Sequence, residues 1–206
     1  MIYTSNYKLL DNRGYREKAI SISGDRGKSA GYCGQCYPLL APKLSFWKIW
    51  KSNIGKVPEE ENNKYYIREF YDNVLKDLDA DELYNALDEK ILLCYEDENS
   101  FCHRQVVASY LELFIGENVP EVKVENNNLI EVTKRNWIKE YLEEYIKSQI
   151  DMKGFESIRA LRYYNKGEKL EFLAKNNNDV ELSKMLKSIA FDIDEEEKKS
   201  KRKKTK

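Results

Sequence analysis

The chain lacks both a strong bias of charge and a long apolar run. Its 206 residues carry 35 Lys and Arg against 36 Asp and Glu, which gives a net charge of −1. Without a global positive field, binding to nucleic acid would have to come from a local patch. No apolar run approaches the roughly 20 residues of a membrane span, and the N-terminus lacks the basic start and apolar stretch of a signal peptide. We therefore expect a cytoplasmic protein that does not bind membranes.

Histidine and cysteine are scarce, so the few that occur are informative. His103 is the only histidine, and the four cysteines are Cys33, Cys36, Cys94 and Cys102. So few cysteines without a secretion signal predict free thiols or metal ligands rather than a disulfide framework. A disulfide between Cys94 and Cys102 stays an alternative that a reducing cytosol disfavours.

Residues 91–104 are typical of a buried strand, a short acidic loop and the first turn of a helix. Residues 91–95 form a short apolar run, as in a core strand of a parallel sheet. Ser100 is the expected N-cap, and apolar residues then recur at helical spacing as far as Gly116. Cys102 should therefore lie in the first turn of a helix, where the helix dipole and neighbouring cations lower the pKa of a thiol.

This stretch resembles the family called domain of unknown function 488. The resemblance is carried by Cys94 and Glu96, as Cys-x-Glu at the end of an apolar strand, and by Cys102-His103-Arg104 at the start of a helix. Weaker similarity is found in three further segments, residues 2–6, residues 19–23 with Arg26, and Leu40-Ala41-Pro42. The resemblance covers roughly residues 1–125 and implies a fold and a site, without assigning an activity.

The motif residues predict one site at the carboxyl ends of the strands, where open α/β sheets bind ligands. Cys102 would be the nucleophile, His103 its activator, and Glu96 the base or a ribose contact. The expected ligand-binding residues are Thr4, Ser5, Arg26, Cys94 and Arg104. The two arginines would hold phosphate or carboxylate, so the expected partner is a nucleotide or another phosphate-bearing small molecule.

Two alternatives to this interpretation stay open. Cys102 can be a packing residue, with Arg104 paired to Glu96 or Asp97 in a plain salt bridge. In that case the protein is a non-enzymatic module that binds nucleic acid or protein, with a structural Cys/His cluster. Aromatic side chains at helical spacing, with lysines beside them, allow base stacking in such a module; they are Trp47, Trp50, Tyr65, Tyr66 and Tyr71.

Two glycine-bearing loops invite other assignments. Cys33-Gly34-Gln35-Cys36 has the spacing of half a zinc site, which Cys102 with Cys94 or His103 would complete. The pair is not part of the resemblance, so we expect no metal ligands in the shared site and leave the cofactor open. Gly27-Lys28-Ser29 lacks the preceding glycine of a P-loop, which excludes a P-loop NTPase.

The order of elements predicts the fold class. Helical segments separate short apolar strands at residues 2–4, 19–23, 91–95 and 119–124, which predicts an α/β fold with a small, mainly parallel sheet flanked by helices. Asp79 is the expected N-cap of the last helix before the third strand. Beyond Asn126 only helical patterns are found, after Thr133, near residues 155–164 and 169–175, and after Asp179. The charged C-terminus has no core-forming residues. We expect an α/β domain over residues 1–125, a C-terminal helical extension over 126–192 and a disordered tail over 193–206.

Overall fold

Four short parallel strands form a sheet, and one of its two inner strands is the apolar run found in the sequence. The computed structural model describes residues 1–11, 13–126, 128–132, 135–149 and 158. The strands are β1 (Tyr3–Asn6), β2 (Ala19–Ser21), β3 (Gln35–Cys36) and β4 (Ile91–Cys94), in the order β1-β4-β2-β3. Strand β4 pairs with both β1 and β2, so its side chains are buried on both faces of the sheet.

Helices flank this sheet and connect its strands, which confirms the expected α/β class. Between β3 and β4 lie α1 (Leu44–Asn53), α2 (Glu59–Phe70) and α3 (Ala80–Ala86), and α2 continues into a π-helical turn over Tyr71–Leu75. Helix α4 (His103–Ile115) follows β4 and is buried along nearly its whole length. Short 3₁₀ segments occupy Tyr7–Asp11, Arg13–Tyr15, Lys28–Ala30 and Pro38–Leu40. All four strands run in one direction, so their carboxyl ends meet at one edge.

The start of α4 differs from the expectation. Its N-cap is Cys102, not Ser100, because Cys102 keeps an extended backbone with φ −150° and ψ 147°. The side chain of Gln105 accepts a hydrogen bond from the Cys102 N–H at 3.2 Å, which satisfies a donor left unpaired at a helix start. The N–H of Ser100 instead donates to the carbonyl of Asp97, within the preceding turn. At α3, by contrast, the expected cap Asp79 accepts from the N–H groups of Asp81 and Glu82.

A second sheet corrects the expectation for residues 119–131. Strand β5 (Val122–Glu125) does not extend the parallel sheet but pairs antiparallel with β6 (Asn128–Glu131), where no strand was expected. Asn126 lies in the turn between the two strands and has a left-handed φ of 51°, which asparagine tolerates in hairpin turns. A single parallel bridge, between Thr4 and Glu121, joins this segment to β1.

The chain divides into two compact units, Met1–Tyr145 and Ile146–Lys206. Helix α5 (Asn136–Gln149) crosses this division, and it confirms the helix expected after Thr133, with a later start. The helices expected near residues 155–164, 169–175 and after Asp179 lie outside the described residues, apart from Ile158, as does the tail of residues 193–206. The expected domain boundaries therefore stay predictions.

Candidate functional site

A cavity of about 590 Å³ opens beside the carboxyl ends of β2 and β4. The loop after strand β2 lines one side of the cavity. Strand β4 ends at Cys94 on the floor of the cavity, and the start of α4 contributes Cys102 and His103. Helices α1 and α2 supply further lining residues. The described lining residues are Ser23, Gly24, Asp25, Ser29, Pro42, Leu44, Trp47, Trp50, Lys51, Tyr66, Cys94, Tyr95, Glu96, Phe101, Cys102 and His103.

Aromatic rings form one wall of the cavity. Trp50 lies with its ring centroid 5.3 Å from that of Tyr66 and 6.0 Å from that of Phe101. The indole N–H of Trp50 donates to the side chain of Asn63 at 3.1 Å, which fixes the ring. Trp47 lies one helical turn earlier on α1 and is half-buried. The wall thus offers flat apolar surfaces held in defined orientations, as a planar ligand requires.

Four polar side chains meet on the floor, and we call Cys94, Glu96, Cys102 and His103 the Cys–His–Glu cluster. Glu96 Oε2 lies 3.0 Å from Cys102 Sγ and 3.5 Å from Cys94 Sγ. His103 Nδ1 lies 3.5 Å from Cys94 Sγ and 3.8 Å from Cys102 Sγ. Both thiols and the imidazole are buried from solvent. The structure therefore brings together three residues expected to be catalytic, Glu96, Cys102 and His103, and one expected to bind ligand, Cys94.

The second nitrogen of the His103 ring defines the tautomer. Nε2 lies 3.0 Å from the backbone carbonyl of Ile22, just beyond β2. A carbonyl oxygen can only accept a hydrogen bond, so Nε2 carries a proton. In the neutral ring the lone pair is then on Nδ1 and faces the two thiols. The ring also packs against Phe70, with centroids 5.5 Å apart, so its orientation is held from two sides.

The environment of the cluster separates the pKa values of its members. Burial, and Cys102 nearby, raise the pKa of Glu96 to about 7. A hydrogen bond with Cys102, together with burial, raises the pKa of Cys94 well above its usual range. Burial by itself would also raise the pKa of Cys102, but the hydrogen bond from Cys94, the charge of Arg104 and the interaction with the neighbouring His103 hold that pKa well below its usual range. Of the two thiols, Cys102 therefore ionises first.

Comparison with known proteins identifies a family for part of the chain. Residues 13–113 match the model of DUF488-N3a, described as the active DUF488-N3 subclade. This matched segment belongs to the DUF488 family. No curated protein and no solved structure is significantly similar to it. The DUF488 match covers β2, the helices between the sheet strands, β4 and most of α4, and thus every element that lines the cavity.

Arg104, the last residue of the DUF488 motif, does not line the cavity. Its side chain has no exposed surface and forms an ion pair with Glu121, with Nη2 2.8 Å from Oε1. Nη2 also donates to the backbone carbonyl of Asp97 at 2.9 Å. Thr4 joins this pair, since its hydroxyl donates to Glu121 Oε2 at 2.6 Å. Arg104 therefore pairs with neither Glu96 nor the Asp97 carboxylate. Its bonds to Glu121 and to the Asp97 carbonyl hold the start of α4 in place.

Ser5 and Arg26 also lie outside the lining of the cavity. Ser5 is buried, and its hydroxyl donates to the carbonyl of Val122 at 2.6 Å. Arg26 is exposed in the loop after β2 and has a left-handed φ of 62°. The structure thus gives Thr4, Ser5 and Arg104 packing partners on the β5 side of the sheet. Of the eight residues expected in one site, the four of the cluster line this cavity and the other four do not.

The cavity includes residues that sequence reasoning missed. Asp25 accepts hydrogen bonds from Ser23 Oγ and from the N–H groups of Gly27 and Ser29, and Tyr95 donates its hydroxyl to the same carboxylate. Phe101, directly before the DUF488 Cys-His-Arg motif, is part of the aromatic wall, with its ring centroid 5.4 Å from that of Tyr66. A signal was present for Asp25, since an Asp between Gly24 and Gly27 is typical of a tight turn.

Cys33 and Cys36 do not join the cluster. Cys33 is exposed and Cys36 is half-buried at the end of β3. In the part of the chain that the structure describes, the thiol and imidazole groups close enough to share a metal ion are those of Cys94, Cys102 and His103. The alternative in which the Cys-x-x-Cys pair supplies half of a zinc site with Cys102 is therefore corrected.

The described residues contain no helix that is both long and apolar enough to cross a membrane.

Proposed function

We propose that the cavity binds the planar ring of a nucleoside or nucleotide, and that the Cys–His–Glu cluster acts on the edge of that ring. The observation that carries the proposal is the juxtaposition of an aromatic wall and a buried reactive floor in one cavity. Aromatic faces stack on any nucleobase, and each such stack contributes roughly 1–3 kcal/mol. The polar groups of the floor can recognise a ring edge by hydrogen bonding.

The charge of the cavity favours the base, rather than the phosphate, as the recognised part. Of the described lining residues, only Lys51 carries a permanent positive charge, whereas Asp25 and Glu96 are acidic. Arg26 and Arg104, which sequence reasoning assigned to phosphate, lie outside the lining. We therefore expect a nucleoside to bind about as well as its monophosphate, because little binding energy is directed at the phosphate.

The role of the cluster as the reacting end is supported by its chemistry. Buried thiol, imidazole and carboxylate groups at hydrogen-bonding distance from one another are suited to nucleophilic and acid–base chemistry. Their placement at the carboxyl edge of the sheet agrees with the general location of active sites in open α/β folds. The description of the matched DUF488 subclade as active is consistent with this assignment.

A thermal-shift screen of the full chain tests the proposal. Nucleobases, nucleosides and their mono- and triphosphates should be compared, since a ligand at about 100 times its Kd stabilises the folded state by about 2.7 kcal/mol. Trp47→Ala should weaken binding by roughly 1–3 kcal/mol through loss of stacking. Ile49→Ala is the matched control, because Ile49 is exposed on the same helix and is not a lining residue.

Two outcomes would contradict the proposal. Either no compound of the series shifts the melting temperature, or Trp47→Ala binds as tightly as the unaltered protein. A shift caused only by triphosphates and inorganic triphosphate would place recognition on phosphate and would also reject base recognition.

A further inference from the structure

The two thiols and the imidazole of the Cys–His–Glu cluster are arranged as ligands around one point. We propose that Cys94 Sγ, Cys102 Sγ and His103 Nδ1 bind a zinc ion, or a divalent cation of similar preference. The proposal rests on the proposed function in one respect, since it takes the cluster to be the reacting end of the cavity. It differs from the zinc alternative raised by the sequence, because Cys33 and Cys36 take no part.

The distances between these atoms fit a tetrahedral zinc ion. Zn–S bonds of about 2.3 Å and Zn–N bonds of about 2.0–2.1 Å at tetrahedral angles place sulfur and nitrogen ligands about 3.6 Å apart. His103 Nδ1 is 3.5 Å from one sulfur and 3.8 Å from the other. All three atoms lie within 4.8 Å of one another. A cation can therefore enter with only small movements of the side chains.

The protonation of His103 also suits a metal ligand. Its Nε2–H donates to the carbonyl of Ile22 at 3.0 Å, which leaves the lone pair of Nδ1 facing the sulfurs. Metal-binding histidines commonly donate their other ring N–H to a carbonyl or carboxylate, which fixes the ring and strengthens it as a ligand. In this protein the fixing group belongs to the backbone beyond β2, so the ligand nitrogen is positioned by the sheet itself.

The donor set and its burial favour zinc over harder cations. Thiolate and imidazole ligands suit zinc, whereas Mg²⁺ and Ca²⁺ prefer carboxylate and carbonyl oxygens. Two thiolates neutralise the charge of a divalent ion. Because Cys94, Cys102 and His103 are buried, this neutrality avoids the free-energy cost of burying a net charge.

Glu96 lies next to both ligand sulfurs of such a centre. Glu96 Oε2 is 3.0 Å from one ligand sulfur and 3.5 Å from the other, and all four residues line the cavity. Catalytic zinc sites have three protein ligands and keep one position for water or substrate, whereas structural sites are closed by four. Three protein ligands would leave such a position for water or substrate, and the Glu96 carboxylate would lie beside the ligand sulfurs in the same cavity.

The experiment measures zinc in the full chain after it has been stripped with a chelator and reloaded with zinc alone. We expect roughly one zinc per chain. Cys102→Ser and Cys94→Ser should weaken zinc binding by more than about 100-fold, because loss of an outer partner alone costs roughly 10–100-fold. The matched control is the double variant Cys33→Ser/Cys36→Ser, which removes the same number of thiols outside the cluster and should bind zinc like the unaltered protein.

A second measurement needs no variant and so does not depend on whether one folds. Iodoacetamide labelling of the unaltered chain, read out by peptide mass, should show Cys94 and Cys102 protected by zinc and released by the chelator. Cys33 and Cys36 should label equally in both states. The proposal is overturned if zinc does not bind, if the Cys33/Cys36 double variant loses it, or if zinc leaves the labelling of Cys94 and Cys102 unchanged.

The outcomes also separate this proposal from the proposed function. If nucleosides raise the melting temperature of a chain that binds no zinc, the zinc proposal is rejected and the proposal of ring binding stands. If zinc binds with the expected dependence on Cys94 and Cys102, but no nucleoside changes the melting temperature, the zinc proposal stands and the proposed function is rejected.

Discussion

Arg104 and Glu121 form the most enclosed ion pair among the described residues. Their side chains have relative exposures of 0% and 5%, and two guanidinium nitrogens reach the same carboxylate oxygen, Nη2 at 2.8 Å and Nε at 2.9 Å. Removing one partner of such a pair leaves the other charge buried without compensation, which typically costs 3–5 kcal/mol. The pair is therefore a structural support of the site rather than a part of it.

We predict that Glu121→Leu lowers the free energy of unfolding by about 3–5 kcal/mol, measured by urea denaturation. The double variant Arg104→Met/Glu121→Leu should lose much less, because neither charge then remains buried. Glu60→Gln, which removes an exposed pair with Lys64, should leave stability unchanged within error. A loss below about 1 kcal/mol for Glu121→Leu would contradict this prediction, because it would show that other groups neutralise the buried charge of Arg104.

The residues of the site divide into those that sequence could place and those that it could not. Cys94, Glu96, Cys102 and His103 were predictable as a group, because a strand end and the following helix start are neighbours in space whatever the rest of the chain does. Arg104 was assigned to a ligand because its partner, Glu121, lies in another segment and has no local signal. Side-chain direction at a helix start depends on such distant partners.

The loop after β2 is the element that brings Asp25 to the cavity, and it depends on Gly27. This glycine has a left-handed φ of 79°, and a Cβ on it would lie 2.7 Å from the hydroxyl of Tyr7 and 2.9 Å from the Cβ of Tyr32. Tyr7 itself is held by the hydroxyls of Ser21 and Ser23. The loop therefore has no room to relax around a side chain at this position.

We predict that Gly27→Ala is clearly more destabilising than Gly31→Ala. Both glycines have left-handed φ values, but nothing lies within 4 Å of a Cβ placed on Gly31. Gly31→Ala should cost about 1–2 kcal/mol from backbone strain, and Gly27→Ala should add about 1–3 kcal/mol from the clash. Urea denaturation of the two variants measures the difference. Equal losses would mean that Tyr7 and Tyr32 move aside freely.

Elements with a strong local signal were predictable, and those defined by pairing were not. Strand β4 is an apolar run bounded by polar residues, and Asp79 is an ordinary N-cap, so both were found close to their true positions. Strand β3 has two residues, Gln35 and Cys36, and exists only because its backbone pairs with β2. Strand β6 was missed because a run of asparagines is as typical of a break between domains as of the hairpin turn in which Asn126 lies.

At the scale of the whole molecule, stability in acid should depend on Asp25. Burial acts to raise the pKa of this carboxyl, but hydrogen bonds from Tyr95, Ser29 and Ser23 outweigh burial and hold the pKa well below its usual range. A carboxyl whose pKa is lower in the folded than in the unfolded state stabilises the fold above its unfolded pKa of about 3.9. That stabilisation is lost as the pH falls from there towards the folded pKa.

We therefore predict that Asp25→Asn is less stable than the unaltered protein by roughly 2 kcal/mol at pH 7, as expected for the loss of hydrogen bonds to a charged group. The difference should shrink steadily below about pH 4. Unfolding free energies from urea denaturation at several pH values between 7 and 2 measure it. Tyr95→Phe, which removes one donor, should show a smaller effect of the same sign. A difference that does not change with pH would contradict the assignment.

The strand order β1-β4-β2-β3 has a consequence for the nascent chain. Strand β4 pairs with β1 and β2, which precede it by about seventy or more residues, and β1 and β2 are not paired with each other. Until residues 91–94 have been synthesised, β1 and β2 therefore have no strand between them with which to pair. Only the two-residue pairing of β2 with β3 can form at that stage. Such late, long-range closure is typical of slow folding. A fragment that ends before Ile91 should consequently leave its strands exposed to chaperones and to proteolysis, whatever the quality of its helices.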